Sequence, residues 1–245
     1  MSQMHRRPHE RPPTIAMIGP DGSGKSTIAR RVTGALSVPA RYLYMGVNLE
    51  SSTEMLPTTR LVLSAKRRAG RRPDMTARVS TARSGLLGSI RSMVRTLAWM
   101  AEEWYRAALA ARARRRGQVV IFDRHFFCDY YASDVRPREP GDPPRSVGTR
   151  LHGAVLRRWY PRPDVTFLLD APAEVLFARK GEGTIASITQ HQAEYRALAD
   201  VLPSFTVVDV DRPLDTVVSD LVERITRIVE GVMAAPGAVP TGAAR

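Results

Sequence analysis

The sequence lacks several features that would place it in whole classes of proteins. It has one cysteine, Cys128, among 245 residues, which excludes an internal disulfide and suits a reducing cytoplasm. It contains no uncharged apolar run of about 18 residues, so it predicts no transmembrane helix. Residues 1–13 have no apolar stretch of the kind that a secretory signal needs, and we predict a disordered basic leader there. The expected location is therefore cytoplasmic.

Lysine is scarce as well, although the chain is strongly basic. Only three of its 37 basic residues are lysines, namely Lys25, Lys66 and Lys180, and the formal net charge is +13. Residues 60–116 hold 15 basic and 3 acidic side chains, and this basic helical segment carries nearly all of the excess. Arginine fills ordinary surface positions in this chain, so a lysine at a special position indicates a chemical role.

Strand-like and helix-like patterns alternate along the chain. Short apolar runs predict five strands, at residues 14–18, 41–46, 118–122, 164–170 and 204–210. Helical spacing of apolar residues predicts long helices over about 25–36, 90–116 and 213–230. Because each strand is nearly all apolar, we predict an α/β fold, a three-layer sandwich with a central five-stranded parallel sheet.

Polar residues collect where the predicted strands end. Gly19, Asp123, Asp170 and Asp209 all stand at the carboxyl ends of strands. Parallel sheets of this kind bind their ligands at that edge. The functional site is therefore predicted there.

The strongest motif is the stretch GPDGSGKS at residues 19–26, which fits G-x-x-x-x-G-K-[ST] at every position between a predicted strand and a predicted helix. In such a turn the glycines let backbone N–H groups face a phosphate, and the helix dipole adds to the attraction. Lys25 is predicted to reach the outer phosphates, and the Ser26 hydroxyl to bind Mg²⁺. The predicted nucleotide-binding residues are Gly19, Asp21, Gly22, Ser23, Gly24, Lys25, Ser26 and Thr27.

A second motif, Asp123-Arg124, directly follows the third predicted strand. A carboxylate at that point can contact Mg²⁺ through water or accept the proton of an attacking hydroxyl. The guanidinium of Arg124 offers a fixed fork for a phosphate. We predict Lys25, Asp123 and Arg124 as catalytic residues and Ser26 and Asp123 as metal ligands. The alternative for Asp123-Arg124 is an ion pair at a strand end.

Two adjacent cations, Arg179 and Lys180, begin a flexible stretch that continues with GEGT. Phosphoryl transfer needs positive charge on its transition state, usually delivered by a segment that closes over the site. We therefore predict a helical lid over residues 179–196. The alternative is a solvated helix end.

Two further residues, Arg106 and His125, have a structural interpretation beside a functional one, and Cys128 has a structural interpretation alone. Arg106 either reaches a phosphate acceptor or pairs with Glu102 one helical turn earlier. His125 is predicted to pack as a neutral ring rather than to act as a base. Cys128 is predicted to be a small buried hydrophobic residue.

Taken together, the motifs resemble the thymidylate kinase-like group of P-loop kinases. The stretches that carry the resemblance are GPDGSGKST at 19–27, FDRH at 122–125 and FLLDAPAEVLFARK…QAEYRALA from residue 167 onward. They follow one another in the order of that group and at roughly its spacing, and the match extends over about residues 14–230.

The resemblance implies a P-loop NTPase fold with ATP and Mg²⁺ as cofactors. Within it, Asp21 is expected to help hold the sugar of the acceptor, Arg124 its phosphate, and Arg179 to assist transfer as a lid arginine. Some members of the group carry an arginine at the position of Gly22, so this chain resembles the type that draws its catalytic cation from the lid.

The chain departs from the group on the acceptor side. Where thymidylate kinases usually have T-R-E-P-G-G-T, this sequence reads MGVNLESSTEMLPTTR, and FFCDYYAS replaces the usual stretch after Asp-Arg-His. The lid offers GEGTIAS instead of an arginine-rich G-G-D-R. Transfer from ATP is therefore expected, whereas the sequence does not support thymidylate as the acceptor.

Three functions follow, in order of preference. The first is an ATP-dependent kinase of a nucleoside monophosphate-like small acceptor. The second is a kinase of a sugar or glycan hydroxyl, with residues 60–116 resting on an anionic membrane surface. The third, an ATPase that binds nucleic acid through its basic segment, has no supporting recognition motif and ranks last.

The predicted organisation is one kinase domain over residues 14–231, with a disordered tail at 232–245. A Pro-rich stretch of mixed charge predicts a mobile loop over residues 133–148. The long helix that ends near residue 116 is either a core helix or, as in the resembled group, part of a homodimer interface.

Overall fold

The computed structural model describes residues 11–46, 56, 86–142 and 144–234, and of residues 86–92, 95, 233 and 234 it describes the backbone alone. Within these ranges five parallel strands form a single sheet in the order β2-β3-β1-β4-β5. The strands are β1 (Thr14–Ile18), β2 (Ala40–Tyr44), β3 (Val119–Asp123), β4 (Val165–Asp170) and β5 (Phe205–Asp209). The predicted five-stranded parallel sheet is confirmed.

Helices cover both faces of this sheet. They are α1 (Lys25–Ala35), α2 (Leu86–Arg115), α3 (Phe126–Tyr130), α4 (Val147–Arg158), α5 (Ala173–Lys180), α6 (Ile185–Arg196) and α7 (Leu214–Ala234). A π-helical turn (Tyr131–Val135) follows α3, and a 3₁₀ turn (Ala197–Asp200) follows α6.

The alternation of side chains along β1 divides the interior into two cores. Ile15 and Met17 pack under α1 and α7, whereas Ala16 and Ile18 face the core that α2, α3 and α4 cover. Successive residues of a strand point to opposite faces, so a strand between two helical layers must be apolar throughout. The three-layer arrangement follows from this pattern.

Strand β1 is central and brings the polar strand ends together. It pairs with β3 on one side and β4 on the other, with Met17 opposite both Asp123 and Phe167. Asp170 and Asp209 are the paired last residues of β4 and β5. The predicted polar edge is therefore formed by the carboxyl ends of β1, β3, β4 and β5.

The structure differs from the predicted boundaries in three places. The predicted loop at 133–148 is shorter, because residues to Val135 belong to the π-helical turn and α4 begins at Val147. Helix α4 was not predicted. The last helix continues to Ala234, so the predicted tail begins too early, and residues 235–245 lie outside the described part of the chain.

The leader and the basic segment are described only at their ends. Pro12 and Pro13 are buried, and Arg114 of α2 donates a hydrogen bond to the Pro12 carbonyl at 2.7 Å, so the predicted disordered leader does not extend to residue 13. Residues 1–10, 47–55 and 57–85 lie outside the description.

Helix α2 has both a buried and an exposed apolar face. Ala107, Ala110 and Ala113 pack in the core, whereas Val94 and Leu97 are more than half exposed. The core interpretation of this helix is confirmed for its second half. The homodimer interface stays a prediction.

Candidate active site

The turn after β1 has a backbone that only glycine can follow. Gly19, Gly22 and Gly24 have φ of +148°, +88° and +77°, a region that side chains with a Cβ disfavour. A Cβ on Gly19 would overlap the Leu169 carbonyl of β4, and one on Gly22 would overlap the Leu176 carbonyl of α5. The glycine spacing in the sequence therefore reflects how closely this loop packs against β4 and α5.

Lys25 is the first residue of α1 and its side chain is 6% exposed. Its Nζ donates hydrogen bonds to the carbonyl oxygens of Gly19 and Pro20, both at 2.7 Å. Burial, aided by the nearby charge of Arg124, lowers the pKa of Lys25 to about 8. The ammonium group thus lies folded across the loop, where a bound anion would favour its charged form.

The three hydroxyl-bearing residues of the loop, Ser23, Ser26 and Thr27, differ in exposure. Ser26 is half-buried in the first turn of α1, and Thr27 is exposed. Ser23 is 1% exposed, and its Oγ has no hydrogen-bond partner within the described ranges. A buried polar atom without a partner is uncommon and calls for a ligand or a water.

Asp123, the last residue of β3, is fully buried. Its Oδ2 accepts a hydrogen bond of 2.7 Å from the Tyr42 hydroxyl of β2. Its Oδ1 has no partner among the described residues. The tyrosine fixes the orientation of the carboxylate, so the second oxygen is held ready for a ligand. Sequence analysis did not predict the contact between Tyr42 and Asp123, because the two residues are 81 positions apart.

Arg124 has a strained backbone. Its φ is +71°, and no other non-glycine residue in the described ranges has a positive φ. This conformation costs about 1–2 kcal/mol in an L-residue. It is stabilised by a hydrogen bond from the Arg124 backbone N–H to the Met17 carbonyl of β1 at 3.1 Å, and such strain is typical of functional positions.

Asp21 gathers three cations around one oxygen. Its Oδ1 lies 2.7 Å from Nη2 of Arg124, 3.5 Å from Nζ of Lys180 and 3.9 Å from Nζ of Lys25. Burial tends to raise the pKa of Asp21, but the charges of Arg124, Lys25 and Lys180 outweigh burial and lower it. The loop, the segment after β3 and the end of α5 therefore converge on a single anionic oxygen.

The two adjacent cations at the end of α5 point to different places. Nη1 of Arg179 donates to the Val210 carbonyl at 3.1 Å, and its Nη2 lies 3.2 Å from Asp211 Oδ1, both just beyond β5. Lys180 instead contacts Asp21 and Glu182. The structure thus brings Lys180 to the loop and Arg179 to the end of β5, and the catalytic role of Arg179 stays a prediction.

Lys180 is absent from the catalytic residues that the sequence predicted. Its signal was present, since lysine is rare in this chain. The predicted lid itself consists of the end of α5, a turn with glycines at 181 and 183, and α6. Thr184 and Ser187 form a capping box at the start of α6, which fixes where the helix resumes.

Asp129 is a further polar residue beside these cations, and sequence analysis did not single it out. It lies in α3, and its Oδ1 accepts a hydrogen bond of 2.9 Å from the Tyr195 hydroxyl of α6. Burial raises the pKa of Asp129, although Arg124, Tyr195 and Lys25 oppose the shift. Residues 66 positions apart in sequence form this contact, which explains why no local motif revealed it.

Arg106, His125 and Cys128 all make structural contacts in the interior. Arg106 is 1% exposed and forms a buried pair with Glu102, Nη2 to Oε1 at 3.0 Å; it also donates to the Tyr44 carbonyl at 3.1 Å. His125 packs edge-on against Phe122, and burial lowers its pKa to about 3, so the ring is neutral. Cys128 is buried, as predicted.

His152, Asp134 and Glu103 form a buried charged triad. His152 of α4 contacts Asp134 at 2.7 Å through Nδ1 and Glu103 of α2 at 2.9 Å through Nε2. Burial tends to lower the pKa of His152, but the hydrogen bonds to Asp134 and Glu103 outweigh burial and raise it to about 9. An imidazolium therefore joins α2, the π-helical turn and α4.

Within the described residues, none of the helices combines the length and apolar composition that a bilayer crossing requires. No group of three or more His, Cys, Asp or Glu side chains in these ranges is arranged to hold a metal ion. A basic membrane-binding surface over residues 60–116 falls largely outside the described ranges and stays a prediction.

Comparison with known proteins identifies the fold. No family profile matches the chain, and no curated protein matches its sequence. Among solved structures, thymidylate kinase from Candida albicans, which is described as having broad substrate specificity and a novel structural element, superimposes with a TM-score of 0.56 at 20% identity. The match covers 89% of this chain and 92% of that one. The chain therefore has a thymidylate kinase-like P-loop NTPase fold.

Proposed function

We propose that this protein is an ATP-dependent kinase that transfers the γ-phosphoryl group to a small, nucleoside monophosphate-like acceptor. The observation that carries the proposal is the convergence of Lys25, Arg124 and Lys180 on one oxygen of Asp21. Phosphoryl transfer depends on positioning and on positive charge around the transferred group. Three cations from three segments supply that charge at the mouth of the glycine-rich loop.

The donor side binds the triphosphate. The backbone of residues 19–24 and the start of α1 provide N–H donors, and Lys25 leaves its two carbonyl contacts to bind the outer phosphates. The ammonium group exchanges neutral carbonyl partners for charged oxygens, which restores its ordinary pKa. ATP binding is therefore expected to take up protons near pH 8.

The residues present fit a magnesium ion. Mg²⁺ is usually bound by one or two protein oxygens together with phosphates and water, and Ser26 and the unpartnered Oδ1 of Asp123 are such groups. When bound, the ion would neutralise charge on the β- and γ-phosphates. The Tyr42 hydroxyl fixes the orientation of the Asp123 carboxylate.

The acceptor side binds the second substrate. Arg124 holds the acceptor phosphate with its fork, and its strained backbone fixes the direction of the side chain. Lys180 approaches the transferred group from the lid, and Arg179 remains at the end of β5 unless the lid rearranges. Asp21, released from its cations by the phosphates, is free to contact the sugar of the acceptor.

A second candidate is a kinase of a sugar or glycan hydroxyl. It is favoured by the carboxylate of Asp129, whose charge raises the pKa of Arg124. The same charge would repel a doubly charged phosphate bound by Arg124. An uncharged reacting hydroxyl avoids this repulsion. The two candidates share the donor side and differ in the acceptor.

The test is acceptor-stimulated ADP release from Mg-ATP over a panel of nucleoside monophosphates, nucleosides and sugars. Stimulation by a nucleoside monophosphate supports the first candidate, and stimulation by sugars alone supports the second. Lys25→Ala should abolish the signal, whereas Arg227→Ala, which removes a surface pair with Glu223 on α7, should not change it. The kinase proposal is abandoned if no acceptor stimulates ADP release.

A further inference from the structure

Exposed apolar side chains are concentrated on one helix pair of the molecule. Among the described residues ten large apolar side chains are exposed, and six of them belong to α2, to α4 or to the residue that directly follows α4. These six, which we call the α2–α4 surface, are Val94, Leu97, Trp104, Val147, Leu151 and Trp159. Single exposed apolar residues are ordinary, whereas a cluster of them indicates a binding surface.

The six residues lie together because α2 and α4 pack against each other. A Cβ added to Gly148 would lie 2.6 Å from Oγ1 of Thr96, so α4 approaches α2 as closely as a glycine allows. The exposed residues Val147 and Leu97 are the chain neighbours of these two. Val94 lies about one turn before Leu97 on the same side of α2. These three side chains therefore border one contact between the helices.

The contact continues along both helices. His152, the chain neighbour of Leu151, reaches α2 through the buried triad. Further on, the ring of Trp104 meets the ring of Tyr160 edge-on, with centroids 5.7 Å apart. Tyr160 directly follows Trp159. Each exposed side chain of the α2–α4 surface thus lies next to the line along which the two helices touch.

The charged residues around this surface are all positive. Residues 143–163 contain five arginines and neither Asp nor Glu. The acidic residues of α2 are Glu102 and Glu103, which are 3% and 1% exposed. In contrast, Arg157 and Arg158 are exposed and form no ion pair among the described residues. The α2–α4 surface is therefore apolar with a cationic rim.

This combination determines which partner fits. In a symmetric dimer the same surface faces itself, so arginines would meet arginines with no carboxylate between them, and such like-charge contacts are unfavourable. Nucleic acid binds through phosphates and stacked bases, which leaves the aliphatic side chains without a partner. An anionic lipid surface accepts both parts, because headgroups attract arginine while tryptophan and aliphatic side chains enter the interfacial layer.

We propose that the α2–α4 surface docks on a membrane surface that contains anionic lipid. This inference goes beyond the proposed kinase function and does not depend on it. The surface shares α2 with the basic segment predicted over residues 60–116, and it adds α4, which sequence analysis did not single out. Trp104 and Trp159 enter the headgroup region, and the arginines beside them contact lipid phosphates.

The experiment is flotation of the full chain with lipid vesicles. One set consists of phosphatidylcholine alone, and in the other set one third of the lipid is phosphatidylglycerol. We expect the native protein to float with the anionic vesicles and to stay unbound with the neutral ones. Added salt should weaken this binding, because it screens the attraction between arginine and lipid.

The cationic rim is tested by the double variant Arg157→Gln with Arg158→Gln. Partitioning onto anionic vesicles should fall about 10- to 30-fold, since each basic residue near such a surface contributes about fivefold. The matched control is Arg224→Gln with Arg227→Gln, which removes two exposed arginines of α7 on the other face of the sheet. The control should change partitioning less than about threefold.

The apolar part is tested by Leu151→Glu, which places a carboxylate within the surface and should weaken partitioning at least about tenfold. Leu214→Glu is the matched control, since Leu214 is 39% exposed and Leu151 is 38% exposed. Trp159→Ala repeats the test without a new charge and should weaken partitioning about three- to tenfold. An unchanged free energy of unfolding shows that each variant is folded.

The proposal is overturned if the native protein does not float with anionic vesicles or floats equally with neutral ones. It is also overturned if the Leu151→Glu and double arginine variants float like the native protein. A dimer that Leu151→Glu converts to a monomer, without vesicle binding, would assign the surface to a second copy instead. Binding of single-stranded DNA that the double arginine variant loses, without vesicle binding, would assign it to nucleic acid. Acceptor-stimulated ADP release is measured separately, so the kinase function is tested on its own.

Discussion

The proposed donor side, at the loop of residues 19–26, and the proposed acceptor side, around Arg124 and Asp129, are built differently. The donor side is mainly backbone, formed by eight consecutive residues whose glycines pack against carbonyls of β4 and α5. The acceptor side is mainly side chains from β3, α3 and α6, including Asp129 and Tyr195. A site made of backbone leaves a local pattern in the sequence, whereas a site made of distant side chains does not.

The main cations of the two sides, Lys25 and Arg124, also differ in the direction of their pKa shifts. Lys25 is buried, and its burial together with the nearby charge of Arg124 lowers its pKa to about 8. Arg124 lies among carboxylates and phenols, which outweigh its burial and raise its pKa. In the proposed function, Lys25 therefore takes up a proton fraction near pH 8 when ATP binds, whereas Arg124 is charged throughout.

The largest effect is expected from Lys25→Ala, which breaks the donor side alone. Loss of the ammonium group should lower turnover by about 10²–10³-fold, because a charged contact to the transferred phosphate disappears. Acceptor binding should change by less than about threefold. Steady-state ADP release and calorimetry with the acceptor measure the two quantities, and an equal loss on both sides would show that the sides are not separable.

Gly22→Ala should come next, because it forces a Cβ against the Leu176 carbonyl at a positive φ. We expect ATP affinity to fall about 10- to 100-fold, with a loss of about 1–3 kcal/mol in the free energy of unfolding. Gly117→Ala is the matched control, since Gly117 has φ +80° but nothing within 4 Å of an added Cβ. Similar losses in both variants would assign the effect to backbone strain alone.

The free energy of unfolding should depend on pH through His152 of the buried triad. Its pKa is about 9 in the folded protein and about 6.5 when unfolded. Because the folded pKa is the higher one, the stabilisation is complete below pH 6.5 and is lost as pH rises through 9.

Denaturant titrations should therefore show the free energy of unfolding falling between pH 6.5 and 8, as part of a total loss of about 1–3 kcal/mol. Lys25 opposes this trend only toward the upper end of the window, since its pKa of about 8 in the folded protein lies below its unfolded value and makes stability rise with pH there. His152→Gln should flatten the slope. A slope unchanged by this substitution would contradict the charged triad.

The smallest effect is expected from Tyr42→Phe, which leaves Asp123 in place but removes the hydroxyl that orients it. Loss of one hydrogen bond to a carboxylate should raise the Mg²⁺ concentration for half-maximal activity by about three- to tenfold. Tyr131→Phe, which alters a half-buried tyrosine of the π-helical turn, should leave it unchanged. No difference between the two variants would remove the positioning role of Tyr42.

The sheet and the phosphate loop could be predicted because local physics determines them. Continuous apolar runs occur where helices cover both faces, and the glycine spacing follows from the positive φ values at Gly22 and Gly24. Strand-end carboxylates such as Asp123 could be placed on one edge because parallel strands share their direction.

The remaining parts depend on contacts between distant residues. Helix α4 follows a Pro-rich stretch and has one local signal, the Ser146 side chain that accepts from the Thr149 N–H, but what joins it to the rest of the fold is the contact of His152 with residues 18 and 49 positions away. The choice between Arg179 and Lys180 depends on the direction of the last turn of α5, which adjacent positions in a sequence do not reveal. The Asp129–Tyr195 contact requires the lid helix to fold back over α3.

The central claim is that the loop at residues 19–26 binds the phosphates of ATP through Lys25. The most direct measurement is a crystal structure of the protein with Mg²⁺ and a non-hydrolysable ATP analogue. We predict that Nζ of Lys25 leaves the carbonyls of Gly19 and Pro20 and contacts the β- and γ-phosphates, while Arg124 separates from Asp21. An analogue bound elsewhere, with Lys25 still across an empty loop, would contradict the account.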